Sequence, residues 1–423
     1  APAGPERAQT FKGPVEVTLW DWFPDRTAYW EDQFRAVAQE HPQVKYALTL
    51  TGSTADQLTK AKAALAGGSA PEAMFLHHSM FLDLATMGGL QPLSPARLPF
   101  KPFESGEWTG WKEQHFSWEG KPLWAALGLM VPCLFINTDL WQAAGLGEKD
   151  VPTTWEALHD VARRLSRRGP EGRLAPAGLA ASAGDVASWM DQMRYQKGLW
   201  RFAKDGKKSL QNHPENVRSL EVLLRMWNDA VWPEQRDVAA FMRREAVIGF
   251  RFNWYANTLR LNAPDLNFRL VPLPTVSGTD LPARNLRVYD PASPVILSTT
   301  AGEKLEAAWL LMKRIIADED ANAELVRQHS SSPAWAKLRA HRALKDDAGV
   351  QTVGKVLPYT VLPGWLNLNA GVENPASVAD VFAKSAPPKE TLDRVAEQET
   401  LGLERNVNLV LERQYAHAGK MRD

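Results

Sequence analysis

A chain of 423 residues is too long for one ordinary domain, which sets an expectation of two units of about 150–250 residues each. Lys plus Arg and Asp plus Glu balance at 49 each. That neutrality speaks against a general nucleic-acid binder, which needs a basic face, and the single cysteine, Cys133, excludes an intrachain disulfide or a thiolate metal cluster.

The chain opens APAGPERAQTFKGP, the composition of a flexible lead-in without a signal peptide. Residues 15–20, VEVTLW, then alternate as a strand should. Pro24 and Asp25 open a helix with Trp30, Phe34, Val37 and Ala38 on one face, and Pro42 ends it. Val44, Tyr46, Leu48 and Leu50 alternate again. Thr54 is placed to cap a helix through Leu58, Ala61 and Leu65 that stops at Gly67-Gly68. Residues 73–76, AMFL, read as a third strand, and Ser79 as the cap of the next helix. Such a βαβαβα run builds a parallel sheet with helices on its faces. Open sheets of this kind bind ligands beyond the carboxyl ends of their strands. The binding surface of the first unit is therefore expected from Asp21-Trp22-Phe23, Thr51-Gly52-Ser53 and His77-His78-Ser79.

Residues 123–136 form the longest apolar stretch, broken by Gly128 and Pro132 and short of the roughly 18 residues of a membrane helix. Within 131–158, VPCLFINTDLWQAAGLGEKDVPTTWEAL, an apolar strand meets Asn137-Thr138-Asp139, suited to capping a helix that stops near Gly145. Thr153 and Glu156 give a T-x-x-E capping box for another helix. Cys133, inside the apolar run, reads as a buried structural residue. Residues 155–245 carry mainly helical spacing. Strands are expected at 246–250, 268–273 and 294–297, with a helix over 306–316 and a helical, charged tail after about Gly371.

Tryptophan is in excess, 17 against 7 Tyr and 15 Phe. Most of these rings belong in the core. A surplus is also what a carbohydrate site uses, because the C–H face of a sugar packs on an indole while its hydroxyls need polar partners. No G-x-S-x-G, H-E-x-x-H, Walker A, G-x-G-x-x-G or S-x-x-K motif is present. A glycoside hydrolase stays open as an alternative, since its two carboxylates leave no trace in linear spacing.

Taken in order, VEVTLWDW, GGSAPEAMFL, MGGLQPL, WAALGLMVPCLFINTDLWQAAGL, VPTTWEAL, RREAVIGFRFNW, FRLVPLPT, SPVILSTTAGEKLEAAWLLMKRI and SSSPAWAKL resemble the family 1 solute-binding proteins of ABC importers. The resemblance implies an α/β fold of two lobes, each a mainly parallel sheet flanked by helices, joined by a hinge that closes on ligand. It implies lobes of 1–130 plus 291–329 and 131–290 plus 330–423. It implies binding of a sugar, oligosaccharide or glycoside without chemistry or cofactor, outside the cytoplasmic membrane, in partnership with a permease and an ATPase. Any lipid anchor would sit on an N-terminal cysteine that this sequence does not contain. A non-sugar or anionic solute, such as a polyol phosphate, a polyamine or a uronate oligosaccharide, is the alternative. The chain departs from the family where glycines are usual: Arg251 and Phe252 stand between Gly249 and Trp254.

Matched onto this sequence, the resemblance and the strand-end loops together nominate site residues. Trp22 is a stacking platform or a staple onto its helix. Asp21 and Asp25 accept hydroxyl hydrogens, with capping as the other role for Asp25. Ser53, His78 and Ser79 offer hydrogen bonds, Ser79 doubling as a helix cap. The His77-His78 pair is not expected to chelate a metal, because neighbouring strand residues point to opposite faces. Met130 lies near the inter-lobe position or in the core, and Asp185 is a polar ligand or a cap. Arg251 pairs with an anionic ligand or with an acid of the protein. Trp254 and Trp365 are the principal stacking candidates, and Tyr289 and Asp290 lie near the return crossover.

Overall fold

The computed structural model describes residues 11–94, 96–109, 117–167, 176–203, 205, 207–229, 238–277, 286–287, 292–357, 360–361 and 377–405. Contacts divide the chain into two compact units. Unit 1 is Ala1–Leu129, Asp290–Gln328 and Pro333–Leu344, and unit 2 is Met130–Tyr289, His329–Ser332 and Lys345–Asp423. Sequence reading put 330–344 with the second unit. Pro333–Leu344 instead groups with the first, where the Trp335 ring packs on Trp108 (6.4 Å, 21°) and edge-on to Phe100 (4.9 Å).

In unit 1 the strand Val15–Asp21 buries Val15, Val17, Leu19 and Asp21, as its alternation requires. It pairs in parallel with Val44–Leu50 on one side and Ala73–His77 on the other. The whole sheet runs Ser332–Pro333, Gly128–Leu129, Ala292–Ile296, Ala73–His77, Val15–Asp21, Val44–Leu50. Helix Thr27–Glu40 follows a single 3-10 turn at Pro24–Arg26 and buries Tyr29, Trp30, Gln33 and Val37.

In unit 2 the sheet runs Phe268–Pro272, Pro132–Asn137, Ala246–Phe252, Ala177–Ala180. Pro132–Asn137 is antiparallel to both neighbours, while Ala177–Ala180 and Ala246–Phe252 are parallel. Strand directions are thus more mixed than expected. The consecutive βαβ crossovers of unit 1 force parallel pairing. The strands that run against their neighbours, Pro132–Asn137 and Ala292–Ile296, are those laid down just after the chain passes from one unit to the other. Trp155, Trp189 and Phe250 fill the core here, with Trp189 edge-on to Phe250 at 4.9 Å. Cys133 is fully buried, and burial pushes its thiol up to about 12, so it is inert.

Three helix starts differ by a residue or two from the sequence reading. Ser53, not Thr54, caps Thr54–Ala66: its hydroxyl accepts from the Asp56 amide, and the Asp56 carboxylate accepts from the Ser53 amide in return. A box starting at Thr54 would have needed Gln57, whose side chain is fully buried. Thr154 caps Trp155–Leu165, because the Thr153 carbonyl is taken by the Thr275 amide at 2.9 Å. His77 caps the helix His78–Thr86, with Nδ1 accepting from the Ser79 amide at 3.3 Å. Asn137 caps Thr138–Ala143 as expected, and Gly145 turns left-handed (φ 73°) after it.

Candidate functional site

The carboxyl ends of the parallel strands in unit 1 lead into Trp22, Thr51 and His78. The first of these ends is locked by charge. Asp21 is fully buried and takes hydrogen bonds from Arg26 Nε (2.6 Å), Arg26 Nη2, Trp30 Nε1 (2.6 Å) and the Phe23 amide (3.1 Å). Both carboxylate oxygens are committed, so Asp21 is not the hydroxyl acceptor that the sequence suggested. Its work is to hold Arg26, 1% exposed, whose guanidinium carbon lies 4.5 Å from the ring centres of both Trp22 and Phe75. Trp22 stacks on Phe75 (5.6 Å, 22°) and meets the His77 ring edge-on at 5.6 Å. It remains half-buried, a rigid indole with part of its surface open.

Around it, Asp25 is half-buried in the 3-10 turn. Ser53 is exposed, but its hydroxyl also bonds Asp56 Oδ2 at 2.7 Å, so capping is its first role. The Ser53 hydroxyl and amide together hold the Asp56 carboxyl below its usual range. Ser79 is exposed, with its hydroxyl 2.8 Å from His77 Nδ1. His77 closes the strand and His78 opens the helix, so their rings lie 4.2 Å apart and not on opposite faces. Among the described residues no group of three or more His, Cys, Asp or Glu side chains is placed to hold a metal.

In unit 2 the parallel strands Ala177–Ala180 and Ala246–Phe252 end beside each other. The strand Ala246–Phe252 runs two residues beyond the expected end and so takes in Arg251. Asp185 is no free ligand group. Its Oδ2 accepts from the Ser182 amide (2.9 Å) and hydroxyl (2.7 Å), a capping box for Ala183–Gln196, and its Oδ1 accepts from Arg251 Nη1 at 2.8 Å. Three residues beyond Arg251, Trp254 is half-buried at the start of helix Tyr255–Asn262, edge-on to Tyr255 at 5.9 Å. Met130 is 5% exposed and belongs to the core, because the run around it is apolar on every side. Tyr289, Asp290 and Trp365 lie outside the described residues. The described segments that precede them in the chain, Leu286–Arg287 and Thr360–Val361, pair as parallel strands.

Sequence reasoning missed Asn253. It is fully buried, its Oδ1 accepts from the Val131 amide (2.8 Å), its own amide donates to the Val131 carbonyl (3.1 Å), and Nδ2 donates to the Ser330 carbonyl. Ser330 is left-handed at φ 45°, and its hydroxyl accepts from Arg260 at 3.0 Å. Asn253 therefore fixes the turn that presents Trp254. The signal available was an amide side chain between two aromatics at a strand end, in FNW.

The tryptophan surplus resolves into core and surface. Among the described residues, the indoles that keep part of their surface open are Trp20, Trp22, Trp118 and Trp254. Two of these, Trp22 and Trp254, come one and two residues after a strand's carboxyl end, one in each unit.

Two α/β units, each presenting strand ends with a half-exposed indole and polar groups, define a small-molecule binding fold. The sequence matches the profile of the bacterial extracellular solute-binding proteins over residues 33–352, and the chain belongs to that family. No curated protein matches it in sequence. Among solved structures, the GacH receptor of Streptomyces glaucescens, crystallised unliganded and with acarbose, is 18% identical. The alignment covers 92% of this chain and 98% of that one, with a TM-score of 0.75. The maltose/maltodextrin-binding domain MalE of Bdellovibrio bacteriovorus, bound to maltotriose, is 16% identical over 93% and 100% of the two chains, TM-score 0.75. UgpB from Mycobacterium tuberculosis, in complex with glycerophosphocholine, is also 16% identical over 93% and 100%, TM-score 0.75. At these identities the likeness establishes the fold. No helix among the described residues is long and apolar enough to cross a membrane.

Proposed function

We propose that this solute-binding protein captures a mono- or oligosaccharide, or a glycoside, outside the cytoplasmic membrane and delivers it to the permease of an ABC importer, whose separate ATPase supplies the energy. The observation that carries this reading is the pair of half-exposed indoles, Trp22 and Trp254, at the strand ends of the two units. A pyranose ring offers a C–H face to such an indole, and its hydroxyls need hydrogen-bond partners around the rim. Asp25, Ser53, His78 and Ser79 supply that rim in unit 1, and Arg251 in unit 2. Structures of the same fold hold acarbose or maltotriose, which supports the choice of carbohydrate. Any closing of the protein on its solute is driven only by the extra affinity of the closed form.

The solute leaves unchanged. Hydrolysis of a glycoside needs one carboxyl as acid and another as nucleophile or base. Of the acids near the two strand edges, Asp21 and Asp185 are each committed to an arginine and to further donors, which takes both out of play as acid or nucleophile. This supports binding over catalysis. Replacing Trp254 with Ala should weaken binding of the preferred sugar by roughly 1–3 kcal/mol, about 5- to 150-fold in Kd, with the melting temperature little changed. Calorimetric titration of wild type and W254A with a sugar panel tests this. Equal affinities would remove Trp254 from the site.

A further inference from the structure

We propose that the solute carries an anionic group, a carboxylate or a phosphate, and that Arg251 receives it; this rests on the solute-binding reading above and narrows its chemical class. Arg251 stands in register with Cys133 near the carboxyl end of its strand, three residues before the half-exposed Trp254. A guanidinium carries five N–H donors. Here one nitrogen, Nη1, is used, on Asp185 at 2.8 Å. Nε is buried without a hydrogen-bond partner, and Nη2 has no acceptor among the described residues. The side chain is 32% exposed.

Two comparisons within the molecule give this weight. Arg26, the arginine at the matching edge of unit 1, is 1% exposed and places both Nε and Nη2 on Asp21, so it is closed to any ligand. Arg194 hydrogen-bonds Gln211 through Nη1 and ion-pairs with Asp191 through Nη2; its Nε also lacks a hydrogen-bond partner, but the side chain is fully buried and offers no surface to a ligand. Of these three, Arg251 is the one whose guanidinium is part-exposed, and it lies three residues from the half-exposed indole of Trp254. Nor can Asp185 absorb them, because its second oxygen belongs to the Ser182 cap. Asp185 therefore orients the guanidinium and leaves its remaining N–H groups for an outside acceptor. Carboxylate and phosphate oxygens match the planar fork, form charge-assisted bonds with it, and would give the orphaned Nε a reason to turn outward. A neutral hydroxyl offers a single, weaker acceptor.

The test is calorimetric titration of the full chain with matched probes: glucuronate against glucose, digalacturonate against galactobiose, glucose 6-phosphate against glucose, and glycerol 3-phosphate against glycerol. At least one anionic probe should bind about tenfold or more tighter than its neutral parent, as a charged hydrogen bond requires. Its affinity in wild type should fall as NaCl rises. In Arg251→Gln the ratio should shrink to within about twofold, and Arg251→Lys should restore part of it. The wild-type salt series stands even where a variant folds poorly. Neutral sugars that bind as tightly as their anions in every matched pair overturn the inference and leave the carbohydrate reading in place. A preference that persists in R251Q, or the failure of every anionic probe, overturns it as well. If glycerol 3-phosphate binds and no sugar does, the inference holds and the carbohydrate reading falls. If nothing binds, both fall.

Discussion

Asp21→Ala is expected to destabilise unit 1 by about 3–5 kcal/mol, the cost of leaving a buried charge without its partner. Arg26 is 1% exposed, and its Nε and Nη2 donate to the Asp21 carboxylate. Removing the acid takes its charge away from a guanidinium that lies among Trp22, Phe23 and Phe75. Trp30 Nε1 and the Phe23 amide lose their acceptor in the same step. Urea denaturation followed by tryptophan fluorescence measures the loss. The double variant D21A/R26M should recover a good part of it, since an apolar side chain of similar length needs no counter-charge. A loss below about 1 kcal/mol in D21A would mean that the pair contributes little and that Trp22 is held by packing alone. Because Arg26 touches the Trp22 ring, D21A should also loosen that platform and weaken solute binding beyond the effect on stability.

The second large effect is expected at Asn253. Alanine there strands the Val131 amide and the Ser330 carbonyl, two buried backbone groups that now pair with its side chain. At about 1–3 kcal/mol for each group left unsatisfied, the loss should be roughly 2–6 kcal/mol. Asn253→Asp separates the two bonds. It keeps the acceptor for Val131 and turns an oxygen toward the Ser330 carbonyl, so it should be destabilising as well. Amide hydrogen exchange gives a residue-level readout: the Val131 N–H should be protected in wild type and N253D and should exchange faster in N253A. An unchanged Val131 rate in N253A would show that the crossing segment is fixed by other contacts. The turn set by Asn253 carries Trp254, so N253A should also cost affinity.

Much of the fold is legible in the sequence because the hydrophobic periods are clean. The alternation in Val15–Asp21 and the spacing of Trp30, Val37 and their neighbours give strand and helix directly. Cap positions slipped at Ser53, His77 and Thr154. Adjacent residues compete for the cap, and the winner is set by tertiary ties such as the Thr153–Thr275 bond. Of the candidate site, the sequence located the strand-end loops and the indoles Trp22 and Trp254. It could not tell a free carboxylate from a committed one. Asp21 has its partner five residues away, inside the next turn, and Asp185 has its partner 66 residues away on a neighbouring strand. Asn253 was missed for the same reason: its partners, Val131 and Ser330, are 122 and 77 residues distant. Polar side chains take their roles from what the fold brings to them, and linear spacing does not carry that information.

The central claim is reversible capture of a small polar solute that is released intact. Its most direct test is to titrate the purified chain calorimetrically with mono- and oligosaccharides and their anionic derivatives, then recover the tightest binder by denaturing the protein and weigh it by mass spectrometry. The account predicts saturable binding of one solute per chain and recovery of the same molecule at unchanged mass. Cleavage products in the recovered fraction, or no saturable binding by any member of the panel, would contradict it.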